Sequence, residues 1–118
     1  MKKILLAVSG ILTVAVIVGG IAFKKNNLTF STGRYVASSN GSHIVIINNS
    51  PIVMSNHTGS QDVFLKLQTG DEIFIVNGLI LTTYPGQTGV YFCMHLNDGT
   101  ESDISADILN RLREMGWY

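Results

Sequence analysis

Cysteine is almost absent from this 118-residue chain. Cys93 stands alone, which excludes an internal disulfide framework and any cysteine-rich zinc site. Proline occurs twice and tryptophan once, and no proline-rich or repetitive tract interrupts the sequence. Charge is also scarce, at 14% of residues, and it is unevenly placed. Residues 1–25 contain Lys2, Lys3, Lys24 and Lys25 and no acid, whereas the remainder carries four basic against eight acidic residues. A mildly acidic body lacks the basic surface that phosphate backbones require, so no nucleic-acid partner is expected. The length leaves room for one domain.

What the sequence does have is one long apolar run. Residues 4–23 carry no charge, and only Ser9 and Thr13 are conventionally polar. A helix rises about 1.5 Å per residue, so this run reaches across roughly 30 Å, the thickness of a bilayer's hydrocarbon core. A lone segment in lipid must satisfy its own backbone hydrogen bonds, which a helix does. Lysine pairs on both sides can extend their charged ends to the headgroups. Residues 1–25 are therefore read as a membrane anchor or export signal. The run exceeds the usual signal-peptide core and Lys24-Lys25 follows it directly, both of which favour an uncleaved anchor. Val18-Gly19-Gly20 and Gly20-Ile21-Ala22 keep cleavage, and hence secretion, open. The expected arrangement is a single-pass protein with its carboxy-terminal domain outside the cytoplasm.

Residues 26–32 read as a short linker and residues 33–118 as a small β domain with a carboxy-terminal helix. Asn40-Gly41 separates short expected strands at 34–38 and 43–47, and Asn77-Gly78 separates others at 73–76 and 79–83. Both residues of Asn-Gly tolerate positive φ, which suits tight hairpins. Asn48-Asn49-Ser50-Pro51 marks a further turn before the short run 52–54. Residues 90–96 alternate, with Val90, Phe92, Met94 and Leu96 on one face and Tyr91, Cys93 and His95 on the other. These signals predict a mainly β fold, an OB-like antiparallel barrel of five or six strands, with an irregular sandwich as the second choice.

The helix is predicted over residues 106–115. Ser105 is placed to cap it, and Ile104 to pack on Leu109. Asp107 at its start and Arg111 and Arg113 near its end complement the helix dipole. Ile108, Leu109, Leu112 and Met115 form an apolar stripe. Gly116 suits the left-handed position after the helix, which would turn Trp117 back onto Leu112.

Gly70-Asp71-Glu72-Ile73, Asn77-Gly78 and Tyr84-Pro85-Gly86-Gln87, together with the earlier Gly33-x-x-Val36, resemble the pattern of the YobA-like family. The resemblance covers about residues 33–92. It implies a small exported Gram-positive domain with an OB-like barrel, and no assigned reaction or catalytic residue.

Candidate chemistry is sparse. Cys93 and His95 share one face of a strand, and an imidazole can activate a thiol. His43, His57 and His95 have no ligand-like spacing, and no metal or cofactor is expected from them. Asp98, Glu101, Asp103 and Asp107 cluster without the alternating ligand pattern of a calcium loop. The loop Tyr84-Pro85-Gly86-Gln87-Thr88-Gly89 is shaped by glycine and proline, and loops on small barrels are where ligands bind. Tyr84, Gln87 and Tyr91 are the candidate ligand-binding residues there. Two functional readings follow. One is a non-catalytic, membrane-tethered domain that binds an envelope protein or a small ligand. The alternative is a small exported thiol-dependent enzyme or redox protein using Cys93 and His95.

Overall fold

The computed structural model describes residues 28–118. The span expected over residues 4–23 lies outside the described residues, and no helix among those described is long and apolar enough to cross a membrane. Five strands, β1 (Thr29–Ala37), β2 (His43–Ile47), β3 (Ser50–Asn56), β4 (Glu72–Asn77) and β5 (Gly86–Asn97), precede one helix, α1 (Ala106–Glu114). The strands close into a barrel in the order β1-β2-β3-β5-β4. Strand β1 begins at Thr29, inside the stretch read as linker, because residues 29–34 pair with β4.

The barrel is not wholly antiparallel. Strands β3 and β5 run parallel, with Ile52 opposite Gly86 and Asn56 opposite Val90. That pairing is what closes the sheet, since β3 and β5 are joined only through β4 and long connections. Partner-to-partner steps around the barrel return to β1 roughly ten residues displaced, a strongly sheared and therefore strongly tilted closure.

The predicted turns meet different fates: Asn40-Gly41 lies within a five-residue connection between Ala37 and His43 rather than forming a two-residue turn. Asn48 and Asn49 both take positive φ (50° and 63°) and form the two-residue turn between β2 and β3. Asn77-Gly78 does not form such a turn. Asn77 is fully buried inside the barrel, where its Oδ1 accepts the Ser31 hydroxyl at 2.9 Å. The partners of β4 are β1 and β5. Residues 79–83 make only an isolated bridge, Leu81 opposite Gln87, and otherwise form a loop. The Asn77 Nδ2 donates to the Gly78 carbonyl at 3.0 Å, so both ends of the buried amide are hydrogen-bonded.

Strand β5 also departs from simple alternation. Val76 faces Phe92 while Asn77 faces Val90, so Tyr91 is an extra residue, and a second irregularity lies at Leu96. A bulge of this kind reverses which side chains point inward. Val90 and Cys93 consequently pack on the same interior cluster, with Tyr35, Val45, Ile73 and Ile75. Phe92 instead joins an outer-wall row, 6.2 Å from Phe74, which is 6.2 Å from Phe30.

A second core lies outside the barrel. Val36, Ile44 and Ile46 alternate with the inward residues of β1 and β2, and their outer face is covered by Ile104, Ile108, Leu109 and Leu112. Met115, expected in this stripe, is exposed, since the helix ends before it. Ser105 makes no side-chain cap bond; its carbonyl accepts the Leu109 N–H at 3.2 Å. At the other end Gly116 has φ 84°, its N–H reaches the Arg113 carbonyl, and the Trp117 N–H reaches the Leu112 carbonyl at 2.8 Å. That pair of bonds is the Schellman closure, and it turns Trp117 back against the helix core. The Trp117 carbonyl then accepts from Ser38 and from the Ser39 N–H, tying α1 to the β1–β2 turn.

Candidate functional site

The carboxy-terminal end of β5 and the segment before β4 enclose a cleft of about 540 Å³. Its walls include Val63, Leu67 and Cys93, and its polar groups include Asp71, His95 and Asp98, with Lys66 at the rim. The position of Asp71 follows from close backbone packing. Gly70 has φ 102°, and a Cβ there would land on the main chain of Thr100. A Cβ on Gly99 would land on the Gly70 carbonyl oxygen. With both side chains reduced to hydrogen, the two turns stack directly, and the Asp71 carboxylate lies between them.

Asp71 is only 4% exposed. Its Oδ2 accepts the Gln68 N–H at 2.8 Å and its Oδ1 accepts the Gly99 N–H at 3.1 Å. Two backbone donors thus hold the charge in place, while each oxygen keeps acceptor capacity. His95 Nε2 stands 3.6 Å from Asp71 Oδ2 and 3.0 Å from Asp98 Oδ1. One ligand atom from each of Asp71, His95 and Asp98 falls within 4.8 Å of the others. Tetrahedral ligands at about 2.1 Å from a zinc ion stand about 3.4 Å apart, and the two separations from His95, 3.0 and 3.6 Å, bracket that value beside an open cleft.

Cys93 shares this cleft, but its environment disfavours nucleophilic chemistry. Burial against the barrel interior pushes its thiol up to about 11. The thiolate, the reactive form, is therefore rare at neutral pH. His95, its expected partner, is directed at two carboxylates instead.

The remaining candidates are dispersed. Tyr84 follows the 79–83 loop, its peptide to Pro85 is cis, and the Arg111 guanidinium lies 4.0 Å above its ring. Gln87 is exposed, and its backbone pairs with Leu81. Tyr91, on the bulge, packs its ring 5.6 Å from His57. None of the three lines the cleft. His43 Nδ1 and the Tyr35 hydroxyl share a hydrogen bond of 2.5 Å, and the imidazole packs on Phe64. Burial lowers the His43 pKa and pushes the Tyr35 phenol up to about 12, with nearby Cys93 adding to the latter. The acidic cluster also divides: Asp98 goes to His95, Glu101 lies 3.7 Å from Arg113, and Asp103 accepts the Thr100 N–H.

Nothing in the spacing of Asp71 and Asp98 marks them as partners of His95. The available signal was the placement of both aspartates beside glycines, in Gly70-Asp71 and Asp98-Gly99. Only the stacking of those two glycines in space unites them. Compared with protein-family models, curated proteins and solved structures, the chain matches none.

Proposed function

We propose that this protein is a membrane-tethered, extracytoplasmic binding module, non-catalytic, whose cleft takes up a divalent transition-metal cation or a small ligand carried by one. In this reading residues 4–23 anchor the chain, and the barrel has the OB-like form expected of the YobA-like domains it resembles. The observation that carries the binding assignment is the convergence of Asp71, His95 and Asp98 in the lining of the cleft. Mixed imidazole and carboxylate donors suit zinc, manganese or iron(II) better than calcium, which takes six or more oxygens. Three protein ligands leave positions for water or an incoming ligand, which the cleft has room to admit. A buried, rigid Asp71 supplies preorganisation, while exposed Asp98 can adjust to the ion.

The test is calorimetric titration of the full chain with zinc and with manganese. Saturable uptake of one ion per chain is expected, weakened at least about tenfold by His95→Gln or Asp98→Asn. Absence of uptake, or uptake indifferent to both substitutions, refutes the assignment and leaves His95 a bridge between two carboxylates.

A further inference from the structure

The barrel end opposite the cleft carries an apolar loop whose aliphatic side chains are left exposed by the described residues. Leu79, Ile80 and Leu81 are consecutive and are 74%, 39% and 58% exposed. Phe30, on the adjoining outer wall, is 45% exposed. Three successive exposed aliphatic residues are unusual on a soluble surface, where single ones are common. The whole segment 73–94 contains no charged residue.

The location of this loop gives it meaning. Thr29 pairs with Asn77 and Phe30 with Val76, so the chain enters the barrel at the end where the 78–85 loop leaves it. The apolar run of residues 4–23 ends six positions before Thr29. Six residues span at most about 20 Å when fully extended, so this barrel end is held close to wherever that run lies. At the far side of the loop, Tyr84 carries Arg111 over its ring. A tyrosine with a guanidinium beside an aliphatic tip matches the layering of a membrane interface, with the aromatic and basic groups at headgroup level and the aliphatic groups below.

We infer that Leu79, Ile80 and Leu81 insert into the outer leaflet of the bilayer that holds the anchor, fixing the barrel upright with its cleft turned to the aqueous side. This rests on the membrane-tethered reading above. It adds to that reading a second contact point, which would convert a domain swinging on a short linker into one of defined orientation. The geometry agrees with it: β4 runs from the cleft at Glu72 to the loop at Asn77, and β5 returns from Gly86 to the cleft at His95.

The experiment uses the full chain with Cys93→Ala, reconstituted into phosphatidylcholine–phosphatidylglycerol vesicles. A nitroxide is attached at Leu79→Cys or, at the opposite barrel end, at Asn40→Cys. Flotation with the vesicles reports the anchor, and collision with an aqueous nickel chelate against dissolved oxygen reports label depth. The expected result is co-flotation, with the label at position 79 several-fold less accessible to nickel than that at position 40. Co-flotation with equal accessibility overturns the inference while leaving the anchor standing. Failure to float overturns both. Dipolar broadening between labels at position 79 would assign the loop to a second copy of the chain and overturn the bilayer assignment.

Discussion

Replacing Gly99 with alanine perturbs the contact on which the cleft is built. The new methyl would lie 2.0 Å from the Gly70 carbonyl oxygen. Ordinary carbon–oxygen contacts lie at about 3.3 Å, so the two turns would have to part by on the order of 1 Å. Overpacking of this kind costs about 1–3 kcal/mol. Parting the turns also stretches the 3.1 Å bond from the Gly99 N–H to Asp71, and a hydrogen bond to a charged group is worth about 1.5–3 kcal/mol. The combined loss, about 2.5–6 kcal/mol, is a large share of a small domain's stability. Gly41→Ala is the matched control. Gly41 has φ 86° but nothing within 4 Å of a built Cβ, so only the left-handed backbone penalty of about 1 kcal/mol applies. Urea unfolding followed by the fluorescence of the single tryptophan, Trp117, reads both variants. With a slope of about 1–3 kcal/mol per molar, Gly99→Ala should lower the midpoint by about 2 M and Gly41→Ala by well under 1 M. Equal midpoints for the two variants would refute the stacked-turn account of the cleft.

Two further outcomes follow from the buried polar groups. Because burial lowers the His43 pKa, the unfolded chain takes up a proton near pH 6.5 before the native state does. Stability should therefore be level above that pH and decline as pH falls through it; His43→Gln, which keeps an acceptor for Tyr35, should flatten the decline, and an unchanged slope in unfolding midpoints between pH 8 and 5.5 would contradict this. With its thiol pushed up to about 11, Cys93 should be thiolate in only about one molecule per thousand at pH 8. A disulfide-exchange reagent should then modify the folded chain about a hundredfold more slowly than the urea-unfolded chain, and comparable rates would revive the thiol-enzyme reading.

The parts of the fold visible in the sequence were those encoded locally. Gly116 and Trp117 announce the helix stop because the Schellman closure involves only residues within one turn, and Asn48-Asn49 announces a turn for the same reason. Long-range arrangements were hidden. Val90 to Leu96 looks like uninterrupted alternation, yet the extra residue at Tyr91 sends Cys93 to the interior; a bulge is a property of two paired strands, not of one. Asn77-Gly78 carries the same residue types as a tight turn, and its true use depends on Ser31, 46 positions away. The parallel β3–β5 pair leaves no mark in either strand's composition. The cleft was least legible of all. Its three polar groups come from two segments, and the feature that unites them is the absence of side chains at Gly70 and Gly99, which reads in sequence as ordinary turn punctuation.

The most direct measurement of the binding site is the amide spectrum of the full chain, isotope-labelled in nanodiscs, during substoichiometric addition of manganese(II). The unpaired electrons of a bound ion erase nearby resonances first. Early loss is expected at Asp71, His95, Asp98 and Gly99, with Asn40, Gly41 and the loop residues Leu79 to Leu81 persisting. Uniform broadening across the barrel, or loss centred on any other group, would contradict it.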